Sequence, residues 1–145
     1  MVITQLSISL DDTPGKTCAL SELLGDEGIN IRALSAVMHG DDNMVHIVAD
    51  QPKKAQDLLV ANGYEVLTSQ VIAVETPDHP GGVTAVMRPL ARAGIRIRFF
   101  YPMIGRILDN AVMILGVDNL EAAIDALKKE YINILEARPG LGIEQ

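Results

Sequence analysis

The stretch "DDTPGKTCAL" (residues 11–20) decides the fold, because it joins a strand pattern to a helix pattern through a Pro-Gly turn. Before it, residues 2–10 alternate between polar and apolar side chains, as in a half-buried strand. After it, residues 17–27 place leucines at helical spacing. The stretch "PDHPGGVTAV" (residues 77–86) repeats this order. Both stretches carry an aspartate two positions before the Pro-Gly pair, which predicts a chain built from one module used twice.

The rest of the chain supports the same repeat. The segment "EGINIRAL" (residues 27–34) matches "AGIRIRFF" (residues 93–100), and "MVHIVAD" (residues 44–50) matches "AVMILGV" (residues 111–117). Each half therefore reads strand–helix–strand–strand–helix–strand. This pattern predicts an α+β fold with two ferredoxin-like βαββαβ units in tandem. Each unit is expected to form a four-stranded antiparallel sheet with two helices on one face.

The sequence contains no Pro/Gly/Ser-rich linker between the two halves. Residues 64–75 form one long extended run, which must supply the last strand of the first repeat and the first strand of the second. We therefore predict one domain at residues 1–69 and a second at residues 70–145. Within the second domain, Pro89 lacks the N–H of an ordinary helix residue. It predicts a first helix that is kinked, or ordered only after Pro89.

Composition and charge exclude several classes of protein. Of the 145 residues, 48% are apolar but only 3% are aromatic, so the core is expected to be aliphatic. A net charge of −7 argues against a nucleic-acid partner, which usually requires a basic face. No segment is long and apolar enough to span a membrane, and the N-terminus lacks a signal-peptide pattern. The single cysteine, Cys18, fits a reducing, cytoplasmic location.

The Pro-Gly loop is a candidate binding site. It ends at a helix N-terminus, where free backbone N–H groups favour a carboxylate. Gly15 allows a close backbone approach and Pro14 stiffens the turn. Asp12 can accept hydrogen bonds from an ammonium group, and Asn30 opens the next strand, which we expect to lie beside the loop. These groups suit a free α-amino acid, although the same residue types also serve as ordinary turn and capping residues.

Two segments of the chain resemble an ACT domain. They are "DTPGKTCALSELLGDEGINIRAL" (residues 12–34) and "DHPGGVTAVMRPLARAGIRIRFF" (residues 78–100), and the resemblance extends over nearly the whole chain as two tandem copies. The resemblance implies a regulatory module that binds an amino acid, often at an interface between paired domains, and that usually regulates an enzyme.

The resemblance also implies a set of ligand-binding positions. In the first repeat they are Asp12, Thr13, Pro14, Gly15, Gly28, Ile29, Asn30 and Ile31; in the second they are Asp78, His79, Pro80, Gly81, Ile95 and Arg96. The second repeat departs from the first at Arg96, which stands where the first has Asn30. A guanidinium group cannot accept a hydrogen bond but can clamp a carboxylate. We therefore expect the two repeats to bind differently, or only one of them to bind.

The prediction from sequence is a non-catalytic, amino-acid-binding regulatory protein without a cofactor or a metal ion. It is expected to form a homodimer or higher oligomer, with a metabolic enzyme as a further expected partner. The alternative is a scaffold or regulatory subunit that binds a metabolic enzyme without a ligand of its own. A third hypothesis, a small enzyme that uses His46 or His79, lacks a matching base or nucleophile in the other repeat. A metal site at His39, Asp41, Asp42 and His46 fits no familiar zinc spacing.

Overall fold

The computed structural model describes residues 2–107, 110–137 and 142–143. The chain divides into two compact units, one built on Thr4–Ser69 and the other on Gln70–Ala137. Val2 and Ile3 group with the second of these, and Gly142 and Ile143 group with the first. Each unit therefore takes a short segment from the opposite end of the chain.

The first unit follows the element order that the sequence predicts. Its elements are β1 (Ile3–Ser9), α1 (Lys16–Asp26), β2 (Ile31–His39), β3 (Asp42–Ala49), α2 (Pro52–Ala61) and the beginning of β4 (Val66–Thr76). β3 pairs antiparallel with both β1 and β2, so β1 and β2 run in the same direction. β1 is also paired with β4. This confirms the α+β arrangement for the first repeat.

The second unit repeats the order with α3 (Gly82–Arg92), β5 (Ile97–Ile107), β6 (Asn110–Val117), α4 (Leu120–Lys129) and β7 (Ile134–Leu135), after the end of β4. β6 pairs antiparallel with β4 and β5, and β4 also pairs antiparallel with β7. β4 is one continuous strand that crosses the boundary at Ser69 and Gln70. The two sheets are therefore not separate, because this strand contributes residues to both units.

Both units bury aliphatic side chains from their two helices against one face of their strands. In the first unit Leu20 and Leu24 of α1 and Leu59 of α2 pack with Leu6 and Ile8 of β1. The second unit matches these contacts with Val86, Leu90, Leu127, Ile72 and Val74. Burial of each such side chain contributes about 1.5–3 kcal/mol of apolar transfer free energy, and the twofold pattern explains why the sequence repeat is visible.

The structure corrects the expectation for the helix that contains Pro89. α3 begins at Gly82, so the prediction of a helix ordered only after Pro89 is wrong. Pro89 is buried inside this helix, where its carbonyl oxygen accepts from the Ala93 N–H at 3.1 Å. Near the C-terminus, Ile143 is only 2% exposed.

Candidate functional site

The first Pro-Gly loop is held by Asp11 rather than by Asp12. The Asp11 carboxylate accepts a hydrogen bond from the Thr13 N–H at 2.9 Å, and its Oδ2 lies 3.8 Å from Lys16 Nζ. The hydrogen bonds from Thr13, together with the weaker effect of the Lys16 charge, lower the pKa of Asp11. Asp12, Thr13 and Pro14 are exposed. An aspartate commonly accepts a hydrogen bond from the backbone N–H two residues later, so this turn could be predicted from the sequence.

Both Pro-Gly loops end in a glycine with left-handed backbone angles. Gly15 has φ 91° and Gly81 has φ 88°, and each is followed directly by its helix, α1 or α3. Neither helix has a side-chain cap. By contrast, Asn119 caps α4 by accepting from the Ala122 N–H at 3.0 Å. The first N–H of each helix closes its own loop, since Lys16 donates to Thr13 at 3.2 Å and Gly82 to His79 at 2.9 Å. The N–H groups that follow in the first turn of α1 and α3 remain available to a carboxylate or to water.

The second loop places its predicted site residues at the surface. Asp78, His79, Pro80 and Gly81 are all exposed. The Gly82 N–H donates to the His79 carbonyl oxygen at 2.9 Å, which closes the turn before α3. His79 Nδ1 lies 2.9 Å from the carbonyl oxygen of its neighbour Pro80, so this histidine contacts its own loop.

A pair of aspartates that sequence reasoning missed fixes the strand start after each first helix. Asp50 accepts from the Asn30 N–H at 2.9 Å, and the Asp50 N–H donates to the Asn30 carbonyl oxygen at 2.9 Å. In the same way, the Asp118 carboxylate accepts from the Arg96 N–H at 3.1 Å, and the Asp118 N–H donates to the Arg96 carbonyl oxygen at 3.2 Å. The side chains of Asn30 and Arg96 are left exposed. Asp50 and Asp118 both follow the third strand of their repeat, which is the signal that could have identified them.

The apolar members of the predicted set serve mainly the core. Ile29 and Ile95 are 4% and 9% exposed and belong to the two hydrophobic clusters. Ile31 is half-buried and packs against the first of these clusters. Gly28, with φ 71°, lies at the exit of α1 and is exposed. Contacts from Ile29 and Ile95 to a ligand can therefore come only from their backbone.

The expectation that Asn30 lies beside the Pro-Gly loop is wrong within one unit. β1 and β2 are parallel, and Ser9 and Val37 both pair with Met44, while Ile31 pairs with Ala49 at the other end of β3. The loop that follows Ser9 and the strand start at Asn30 are thus at opposite ends of the sheet. α1, with 11 residues, separates them by about 16 Å at 1.5 Å per residue.

His46, one of the two histidines considered for catalysis, contacts polar side chains, and the single cysteine is exposed. His46 Nδ1 is 2.9 Å from Ser7 Oγ and 3.2 Å from Gln5 Nε2, and burial lowers the pKa of its imidazole. Cys18 is exposed and donates to Glu22 at 3.5 Å, and that carboxylate raises the pKa of the thiol. A raised thiol pKa opposes nucleophilic activation.

Two general searches give negative results for the part of the chain that the structure describes. Residues 2–107, 110–137 and 142–143 contain no group of three or more His, Cys, Asp or Glu side chains arranged to hold a metal ion. Over the same ranges, every helix is too short or too polar to cross a membrane.

Comparison with known proteins shows which family and which solved structures this chain is similar to. A family model described as an ACT domain pair matches residues 1–139. A solved structure of a Bacteroides thetaiotaomicron protein is similar at a TM-score of 0.85 and 27% identity, over 93% of this chain and 92% of that one. The ligand-free regulatory subunit of aspartate kinase from Thermus thermophilus aligns at a TM-score of 0.63 and 16% identity, over 90% and 97%.

The corresponding subunit from Thermus flavus aligns at a TM-score of 0.60 and 16% identity, over 90% of this chain and 95% of that one. At these identities the two subunits are evidence of a common fold alone. A search of curated proteins gave no significant match. The family match covers nearly the whole length and agrees with the two βαββαβ units, so the chain belongs to the family of paired ACT domains.

Proposed function

We propose that this chain is a non-catalytic regulatory protein that binds a free α-amino acid at its Pro-Gly loops. The observation that carries the proposal is the pair of uncapped helix N-termini at α1 and α3, each behind a glycine with positive φ. Their N–H groups suit the α-carboxylate of a ligand. In the first loop the exposed Asp12 lies beside them and suits the ammonium group.

The separation of Asn30 from its own loop bears on how such a ligand would be held. About 16 Å is much longer than the distance between the ammonium and carboxylate groups of an α-amino acid. A ligand that contacts both a Pro-Gly loop and the side chain of Asn30 therefore needs a second ACT domain. We propose that a second copy of the chain supplies it, so that ligand binding is linked to association of the copies.

Three further proposals concern the domains, the assembly and the ligand preferences of the protein. The ACT domains are proposed to occupy residues 1–69 and 70–145. We further propose that the protein acts as a homo-oligomer or as the regulatory subunit of a metabolic enzyme. Arg96 replaces Asn30 at the matching position, and a guanidinium donates hydrogen bonds without accepting them. The two domains are therefore proposed to have different ligand preferences.

Calorimetry and thermal shift with each common amino acid at millimolar concentration test the proposal. A ligand at 100 times its Kd should stabilise the protein by about 2.7 kcal/mol. Asp12→Ala and Asn30→Ala should weaken binding at least about 10-fold with little change in thermal stability, because both side chains are exposed. Asp41→Ala, an exposed aspartate next to the β2–β3 turn, is the matched control and should bind normally.

If no amino acid of the panel gives a binding signal, the proposal that the protein binds a free amino acid is wrong. In that case the scaffold alternative predicts a metabolic enzyme that co-purifies with the native protein without any added amino acid. Equal losses of binding and stability in Asp12→Ala and Asn30→Ala would instead assign these residues to turn formation.

A further inference from the structure

The end of α4 carries an aromatic residue in a backbone conformation that favours glycine. Tyr131 has φ 57° and is the one non-glycine residue with positive φ in the described ranges. Its N–H donates to the Lys128 carbonyl oxygen at 3.0 Å, and the Ile132 N–H donates to Leu127 at 3.0 Å. The first unit makes the same turn after α2 with Gly63, at φ 85°. A tyrosine at this position is strained, whereas a glycine is not.

Packing does not explain why the position holds a tyrosine. The Tyr131 side chain is 96% exposed, so its ring contributes little to the core. Backbone strain that brings no packing in return is a reason to look for a function nearby. Tyr131 is one of the residues that line a cavity of about 380 Å³ in the second unit, a volume in the usual range for small-molecule sites.

The polar lining of this cavity includes two carboxylates: Glu130, which lies 3.9 Å from Arg92 Nη1, and Glu75, which is held by two amides. One oxygen of Glu75 accepts from Asn110 Nδ2 at 2.6 Å, and the other accepts from Asn133 Nδ2 at 2.7 Å. In the described part of the chain no cation forms an ion pair with Glu75. A carboxylate can accept about four hydrogen bonds, so both oxygens retain free acceptor positions. Glu75 is therefore a negative charge held in place by two amides, with no cation paired to it among the residues that the structure describes.

Apolar side chains also line the cavity. Ala85 and Val86 of α3 line it, together with Ile132 after α4. The first unit has no such combination, since Ser9 occupies the position of Glu75 in the repeat and Gly63 that of Tyr131. The cavity therefore belongs to the second unit and depends on residues that the first repeat lacks.

We propose that this cavity, which borders the second Pro-Gly loop at Pro77, binds a small organic cation, a primary alkylammonium compound. Its ammonium group donates to Glu75 and to the amide oxygens of Asn110 and Asn133, and its carbon chain lies against Ala85 and Ile132. The Tyr131 ring lies at the mouth, where its face can contact the cation. The apolar lining favours an organic cation over a metal ion, which would need several more oxygen ligands.

An NMR titration of the full-length protein with n-butylammonium chloride tests this proposal. Saturable shifts are expected for the backbone amides of residues 75, 110 and 131–133. Two matched probes isolate the charge and the chain: 1-butanol has the same chain without the charge, and sodium or magnesium chloride has the charge without the chain. Equal shifts with butanol, or with an inorganic salt at equal ionic strength, would overturn the organic-cation assignment.

Variants test the individual residues. Glu75→Gln keeps the shape but removes the charge, and should weaken butylammonium binding at least about 10-fold. Tyr131→Gly should weaken binding about 2- to 5-fold while raising the thermal midpoint, because it removes the ring and the strain together. Glu65→Gln, an exposed substitution at the matching position of Asn133 in the first unit, should change neither.

Two results would contradict the roles assigned here. Unchanged affinity in Glu75→Gln, in a variant that melts like the wild type, would exclude Glu75 as the anchor. A lower thermal midpoint with unchanged affinity in Tyr131→Gly would make Tyr131 a structural residue. A negative result with the amino-acid panel does not contradict this proposal. The butylammonium titration is followed at the backbone amides of residues 75, 110 and 131–133, which are not the amides of the Pro-Gly loops.

Discussion

The two Pro-Gly loops have similar backbone conformations but are stabilised by different side chains. The first loop is held by exposed polar contacts, with Asp11 accepting from Thr13 and lying near Lys16. The second has Pro77 and Gly82 at the positions of Asp11 and Lys16, and these two residues pack closely without any charge. The repeat therefore specifies the path of the chain into the helix, while the interactions that stabilise this path differ. Exposed contacts of the first kind tolerate substitution, whereas close packing of the second kind does not.

Gly82→Ala should produce the largest loss of stability. An added Cβ would stand 1.8 Å from the Pro77 carbonyl oxygen, which is backbone and cannot rotate away. Alanine favours a helix over glycine by about 1 kcal/mol, but the clash forces the loop and α3 apart. We expect the free energy of unfolding to fall by about 3 kcal/mol, measured by urea denaturation.

Lys16→Ala at the matching position of the first loop is the control. It removes an exposed ion pair at 3.8 Å, so we expect only a small change in the free energy of unfolding. Similar losses of unfolding free energy in the two variants would contradict this difference, because they would mean that both loops are stabilised in the same way.

Asp50→Ala should produce an intermediate effect. Asp50 is half-buried and accepts from the Asn30 N–H at 2.9 Å, and its removal leaves that donor without its partner. The expected loss in the free energy of unfolding is about 1–2 kcal/mol. Asp118→Ala should cost less, about 0.5–1 kcal/mol, because Asp118 is exposed and water can replace it at Arg96.

Asp50→Asn is the control for this pair, since its amide oxygen can still accept from Asn30 and most of the stability should return. If Asp118→Ala cost as much as Asp50→Ala, burial would not set the difference between the two strand starts. Urea denaturation of the four proteins, including the wild type, under one set of conditions decides this.

The sequence predicts the order of the elements well because the repeat supplies each pattern twice. The helix end at Gly63 and the strands after "GIN" and "GIR" follow from local residue types. The prediction that Asn30 lies beside the loop was wrong because this position depends on strand direction. α1 returns the chain to the far end of the sheet before β2 begins. That topological step is available from the predicted βαβ order.

Other parts of the site could not be read from the sequence. Glu75, Asn110 and Asn133 lie far apart in the chain, and nothing local to any of them indicates that their side chains meet. The same is true of Ile143, whose burial depends on a segment that groups with the other repeat. Contacts of this kind are set by tertiary packing rather than by period or turn chemistry.

The strand faces opposite the helices differ between the units, and this predicts a small pH effect. In the first unit this face carries Gln5, Ser7 and His46, which contact one another. The second unit has Val71 and Ala73 at the positions of Gln5 and Ser7, and both are buried. The second unit therefore has no imidazole on its matching described strand positions, and a histidine-linked change in stability should come from the first.

The sign of the effect follows from the lowered pKa of His46. Burial disfavours the imidazolium in the folded protein, so near the ordinary histidine pKa of 6.5 the unfolded chain binds more protons than the folded one. Stability should be fully present above about pH 7 and should decrease as the pH falls below 6.5, until the folded-state pKa is reached. Urea denaturation between pH 5.5 and 7.5 measures this slope while the carboxylates remain ionised.

His46→Asn should flatten that slope, because an amide can accept near the position of Nδ1 but does not titrate. His39→Asn, at the exposed end of β2, should keep the slope of the wild type. A slope that survives in His46→Asn would assign the pH response to groups outside this face. A slope that disappears in it would show that the polar face of the first unit, which the second unit replaces with aliphatic side chains, makes one half of the repeat sensitive to pH.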